Sequence, residues 1–199
     1  MKTGAKLGLA AAAVVAVAGS LALVDFVHHG FSARDEPTVL EAFVARHLRH
    51  FSVPLAARRA ENPVALTDQV LAEGREHFAD HCAYCHGNDG RGETPIGRNL
   101  YPKAPDMRAL ETQALSDGEL FYIIENGVRL TGMPAWGEDT PHDDDASWQL
   151  VHFIRHLPKI TPEEVAEMEE LNPRSRRELE EQEEIRRFLS GEEAPSHRH

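Results

Sequence analysis

The chain opens on an apolar run. Leu7 to Val24 carries no charged side chain, with Lys2 and Lys6 before it and Asp25 after it. As a helix of 1.5 Å rise per residue, that run spans roughly 27 Å, close to the hydrocarbon thickness of a bilayer. It is apolar all round and lacks a stripe, which argues against a buried core helix. Two readings stay open. One is an uncleaved signal anchor. The other is a secretory leader with Ala16-Val17-Ala18 as its small-residue cleavage site. The anchor is favoured, because Leu21-Ala22-Leu23-Val24 continues the run past that site. In both readings the lysines stay cytoplasmic and the rest crosses the membrane.

Periodicity beyond residue 25 is helical. In the connector, residues 26–66, the residues Leu40, Phe43, Val44, His47, Leu48 and Phe51 recur at helical spacing. This stripe predicts an amphipathic helix from Pro37 to Phe51 that packs on the main domain; docking to a membrane partner is the alternative. Pro54 and Pro63 punctuate the segment. Residues 67–83 read as a helix capped by Thr67, with Val70, Leu71, Gly74 and Phe78 along one face. Residues 87–92 are rich in glycine turns, and residues 93–115, with Pro95, Pro102 and Pro105, look irregular. Ser116-Asp117-Gly118-Glu119 is a capping box that opens a helix ending at Asn126-Gly127. Ala146 to Leu157 is a further helix, stopped by Pro158. No useful β-alternation occurs, so the expected class is all-α.

Residues 159–199 differ in composition. Thr161-Pro162-Glu163-Glu164 is another capping box, and Arg176 to Leu189 a Glu/Arg-rich helix beyond Pro173. From residue 161 onward, acidic residues number 12 and basic ones 6. With few apolar positions to bury, this tail reads as solvated helices. The whole chain of 199 residues has 33 acidic and 21 basic side chains, a net charge of −12. That surface suits a partner with a basic patch and disfavours nucleic acid. Two cysteines are too few for a disulfide scaffold.

Both cysteines sit in Cys82-Ala83-Tyr84-Cys85-His86, the attachment signature of c-type haem. Two thiols one helical turn apart add across the two haem vinyl groups, and the following His is held against the iron. A redox disulfide would need a βαβ context that is missing. A zinc site would need a second ligand pair, and His77 and His81 would crowd one turn. For the sixth iron position, Met133 in Gly132-Met133-Pro134-Ala135-Trp136 is the candidate. Gly and Pro fix a turn there that can aim a thioether inward. Met107 follows a proline-rich loop and Met168 lies in the charged tail. His152 and His156 read as half-buried packing, and His197 and His199 as a poor metal site on a free end.

On these residues, and on the Ser116–Gly127 helix and the closing helix, residues 66–158 resemble a class I cytochrome c domain. Bacterial membrane-anchored monohaem members are the nearest look-alikes. The resemblance implies that the first and last helices cross beside the haem edge. Gly74 and Phe78 would meet Leu150 and Phe153 there. It also implies a proline carbonyl that supports the His86 ring, with Pro95 and Pro102 both in range. The organisation expected is an anchor or leader over residues 1–25, a helical connector over 26–66, a cytochrome c haem domain over 67–158 and an acidic helical tail over 159–199.

Cys82, Cys85, His86 and Met133 would bind one covalent haem c, with His86 and Met133 ligating the iron. Two filled axial positions leave no site for substrate. The expected function is therefore one-electron transfer, not enzymatic catalysis, between membrane or periplasmic redox partners. The expected place is the bacterial inner membrane, with the haem domain facing the periplasm. A redox or gas sensor, or a non-catalytic haem subunit of a respiratory or dehydrogenase complex, is the alternative. A peroxidase would need distal acid–base groups that no pattern supplies.

Overall fold

A computed structural model describes residues 2–29, 32–137, 141–174 and 176–190. Every regular element among the described residues is helical. In chain order these are α1 (Lys2–His29), α2 (Val39–Ser52), α3 (Leu55–Arg58), α4 (Asp68–His77), α5 (Ala83–His86), α6 (Leu110–Gln113), α7 (Asp117–Asn126), α8 (Pro141–His156), α9 (Pro162–Leu171) and α10 (Arg176–Ser190).

Helix α1 is the apolar run. Its segment Lys6–His28 has a mean hydropathy of 2.4 and is long and apolar enough to cross a membrane, and none of it is buried in the protein. Asp25 does not end the helix, since one charged residue does little to helix propensity.

The core is built where α4 crosses α8. Thr67 caps α4 by accepting from the Val70 amide. Gly74 lies against the Gln149 backbone, where a Cβ would overlap the carbonyl and sit 3.3 Å from Phe153 Cβ. Only glycine allows that approach. One turn on, the fully buried rings of Phe78 and Phe153 pack with centroids 5.1 Å apart. The backbone neighbour of Gly74 is thus Gln149, while Leu150 points into the core beside it. Helix α7 closes the opposite side. Leu120 and Ile124 are buried, and Phe121 stacks on Trp148 at 4.1 Å and 11°. Ser116 and Glu119 form the capping box in full. Arg155 of α8 pins the start of α7 through Asp117 and the Gln113 carbonyl, each at 2.8 Å.

The structure overturns two expectations about the flanks. The first half of the acidic tail is not solvated. Met168 of α9 is completely buried in the core. Arg75–Glu167 (3.1 Å) and His156–Glu164 (2.8 Å) join the same helix to α4 and α8. Asn172 then donates to the Ala79 carbonyl and to Asn88. Val165, Met168 and Leu171 make only a short stripe among five glutamates, so composition concealed this docking. The second correction concerns α2. Its apolar stripe does not pack on the domain, and α2 has no buried residue. The connector attaches through polar groups, through buried Val53, and through Ala57 of α3 and Ala60 just past it, which lie so close to Gly118 that a Cβ there would clash. The pair His197 and His199 lies outside the described residues.

Because Met168 fills core space, Met168→Ala should destabilise the detergent-solubilised chain by about 2–5 kcal/mol in denaturant unfolding. A change within about 0.5 kcal/mol, the range of ordinary surface substitutions, would show that α9 is only loosely applied.

Candidate haem site

The Cys82–His86 segment is placed by the helix that carries the core crossing. After α4 the backbone widens into a π-helical turn, Phe78–Cys82, before tightening again into α5. Such turns recur at functional sites because they re-aim side chains within a continuous helix. Phe78 and Ala79 bury into the core on one side of the turn. Helix α5 ends at Gly87, whose φ of 73° and amide bond to the Ala83 carbonyl (2.8 Å) turn the chain away.

Cys82 and Cys85 are free thiols, both partly buried. Burial, helped by the neighbouring Cys85, pushes the Cys82 thiol up to about 12. Burial raises Cys85 too. Reactive Cys-x-x-Cys couples depend on a depressed thiol pKa, so these shifts run opposite to redox-disulfide chemistry. Among the described residues no group of three or more His, Cys, Asp or Glu side chains is arranged to hold a metal ion. His77 and His81 instead meet edge to face at 4.9 Å.

His86 is 8% exposed. Burial pushes its pKa down to about 4, against the Pro105 carbonyl, which pulls it upward. The imidazole is therefore neutral at pH 7, the form that ligates iron. Its Nδ1 is buried without a well-formed hydrogen bond. The carbonyl acting on the ring is that of Pro105, not of Pro95 or Pro102. Chain spacing could not show this, because the 87–107 loop folds back on the His86 turn. Gly92 donates to the His86 carbonyl at 2.7 Å, Thr94 to the Cys85 carbonyl at 3.1 Å, and Met107 to the Gly90 carbonyl at 2.8 Å.

Met133 is half-buried in the loop after α7. Gly127 ends α7 with φ 62° and packs against the Pro134–Ala135 backbone with no room for a Cβ. The Val128 amide donates to the Met133 carbonyl at 3.2 Å, and the Met133 amide to Thr131 at 3.1 Å. Three residues past Met133, the Trp136 ring stands edge-on to His81 with centroids 5.3 Å apart. His81 immediately precedes Cys82, so this contact sets the methionine loop beside the cysteine turn. Met107 and Met168 are buried core residues. Trp136 and Pro105 are the site-forming residues that periodicity did not single out. Trp136 was visible only as part of the Gly-Met-Pro-Ala-Trp string.

A neutral buried imidazole beside the Pro105 carbonyl, a free thiol directly before it and another one turn earlier, and a loop-held thioether fit a covalent haem. The comparisons with known proteins agree. Residues 69–154 match the family of cbb3-type cytochrome c oxidase subunit III. The Rhizobium meliloti cbb3-type cytochrome c oxidase subunit FixP is 33% identical over 90 residues, which cover 44% of this chain and 28% of that protein. A chain of the reducing HAO-like protein complex of Kuenenia stuttgartiensis shares 22% identity over 49% of each chain, with a TM-score of 0.41. The chain thus spans less than a third of the curated relative and about half of the solved one. The α4–α8 unit is a haem-binding, electron-transferring domain of the c-type cytochrome class. Within that class, residues 69–154 are similar to the cbb3-type subunit III family.

Gly127→Ala combines a left-handed φ with a clash against the Pro134–Ala135 backbone. It should destabilise the haem-loaded chain by about 1–3 kcal/mol in denaturant unfolding. Wild-type stability in that variant would mean the loop is not held at Gly127.

Proposed function

We propose that Cys82 and Cys85 form thioethers to one haem c, that His86 and Met133 occupy its two axial positions, and that the chain is a one-electron carrier without catalytic activity of its own. The observation that carries this reading is the Trp136–His81 contact, which sets the Met133 loop against the turn bearing the neutral, buried His86. The haem supplies reversible ferric–ferrous exchange, and a soft thioether favours the ferrous state. The chain's residues do the rest. The Pro105 carbonyl orients His86 and raises its basicity. Gly127, Thr131 and Trp136 hold the thioether loop, keeping ligand rearrangement small during electron exchange. The core crossing at Gly74 and Phe78 keeps the cysteine turn in place.

The membrane-crossing length of α1 supports an anchored protein, and Lys2 and Lys6 on its near side support a periplasmic haem domain. The net charge of −12 supports docking to partners through a basic patch. The match to an oxidase subunit III family favours a fixed redox-complex component over a free shuttle. A tether of this kind raises the effective concentration at a neighbouring redox centre. The sensor reading would require a displaceable Met133.

The test is an optical spectrum of the haem-loaded chain, oxidised and reduced, with and without carbon monoxide. Expected is a low-spin spectrum with an iron–sulfur charge-transfer band, insensitive to carbon monoxide. Met133→Ala should lose that band and gain carbon monoxide binding. A wild-type spectrum that shifts with carbon monoxide would overturn the His/Met assignment and favour sensing. Co-purification with a membrane redox complex after mild solubilisation would separate subunit from shuttle.

A further inference from the structure

Helix α2 presents an apolar face that nothing in the protein covers. Val39, Leu40, Phe43, Val44, Leu48 and Phe51 are between 44% (Val44) and 86% (Val39) exposed. At helical spacing Leu40, Phe43, Val44, Leu48 and Phe51 share one side, with His47 among them and Val39 at its edge. The opposite side, with Ala42 and Arg49, is the one turned to the domain. Arg49 is partly desolvated there and feels the Glu119 carboxylate. His50 reaches that same carboxylate at 3.1 Å, and Tyr101 donates to Glu41 at 2.8 Å. The apolar side therefore points away from the haem domain and is held in that direction. The helix is built to be stable in place, since Thr38 and Glu41 form a complete capping box.

Two further features identify what would cover this face. The first is charge. Residues 39–59 contain four arginines, Arg46, Arg49, Arg58 and Arg59, against a single acid, Glu41. This occurs in a chain whose net charge is −12. The second is position. Between His29 at the end of α1 and Val39 at the start of α2, the chain reaches at most ~35 Å even when fully extended. We infer that α2 lies on an anionic lipid surface, with its apolar face in the headgroup–acyl boundary and the exposed Arg46 at its flank among the lipid phosphates. Apolar residues on one face and cations on the other are what such surface helices require. Scattered exposed apolar residues are ordinary, but five along one helix side, fixed outward, mark an interaction surface. Because α2 and α3 are fastened to α7, the lipid contact would also fix how the haem domain faces the membrane.

This inference rests on the reading of α1 as an anchor. The test uses the full haem-loaded chain in vesicles of phosphatidylcholine with phosphatidylglycerol. Leu48→Cys, on the apolar face, and Ala45→Cys, on another side of α2, are each labelled with an environment-sensitive dye. Expected is blue-shifted emission for position 48, quenched by nitroxide-bearing lipid several-fold more than position 45. Exchanging phosphatidylglycerol for phosphatidylcholine should weaken that difference. Equal, solvent-like signals at both positions, with the chain still floating on the vesicles, would overturn the surface contact but leave the anchor reading standing. A dye at position 48 that turns apolar in native membranes and never in vesicles would overturn the lipid assignment in favour of a protein partner. Failure of the chain to float with vesicles would overturn the anchor reading and this inference together.

Discussion

The rest of the domain depends on one close approach. Gly74 lets the backbone of α4 touch that of α8 at Gln149, and the Phe78–Phe153 pair seals the crossing one turn on. The cysteine turn and His86 follow within twelve residues of Gly74. The π turn begins at Phe78, Cys82 ends it, and His86 closes α5. A larger residue at position 74 would push the helices apart and carry the cysteine turn with them, because Phe78 belongs to both the core and the turn. Packing density leaves little slack for absorbing such a shift locally.

The same crossing organises the Met133 loop from the other side. Helix α8 carries Trp148, on which Phe121 of α7 stacks, and Arg155, which holds the start of α7. Helix α7 in turn delivers Gly127 and the Met133 loop. Trp136 bonds back to the Ile124 carbonyl at 3.1 Å and meets His81. The two halves of the site are thus separate in sequence but share one core. A half-buried methionine in a loop braced at three points suits a ligand more than core filler, a role Met107 and Met168 already take.

Much of this was legible in the residues. The Cys82–His86 motif and the capping boxes at Ser116 and Thr161 depend on short-range chemistry, which can be read directly, while the Gly74–Phe78 and Phe153 crossing was what the resemblance to cytochrome c implied. What escaped depends on chain reversal or on tertiary competition. Pro105 acts on His86 because a loop of about twenty residues folds back, and proline spacing carries no record of that path. Met168 shares an acidic helix with only Val165 and Leu171 as other large apolar residues, so composition argued for solvent while one fully buried side chain decided otherwise. The stripe on α2 was read correctly as a stripe and wrongly as a core face. Amphipathicity states that a face is apolar, but not what covers it.

The connector shows why that distinction matters. His50 and Arg58 form a small polar relay, with Arg58 Nη1 3.2 Å from His50 Nε2 and Arg58 Nε donating to the Val53 carbonyl at 3.0 Å. The relay ends on Glu119, which is 7% exposed and also accepts from the Ser116 amide within the α7 capping box. Ser116 Oγ donates to the Arg58 carbonyl at 2.8 Å, and Gly118 leaves room for Ala57. Polar contacts this local constrain direction more than they add stability, since half-exposed pairs are worth little individually. Their effect is geometric. They hold the outward face of α2 in a fixed relation to α7, and α7 carries the Met133 loop. Whatever that face rests on, the α4–α8 domain is set by the same contact, because α2 and α3 are joined to the start of α7.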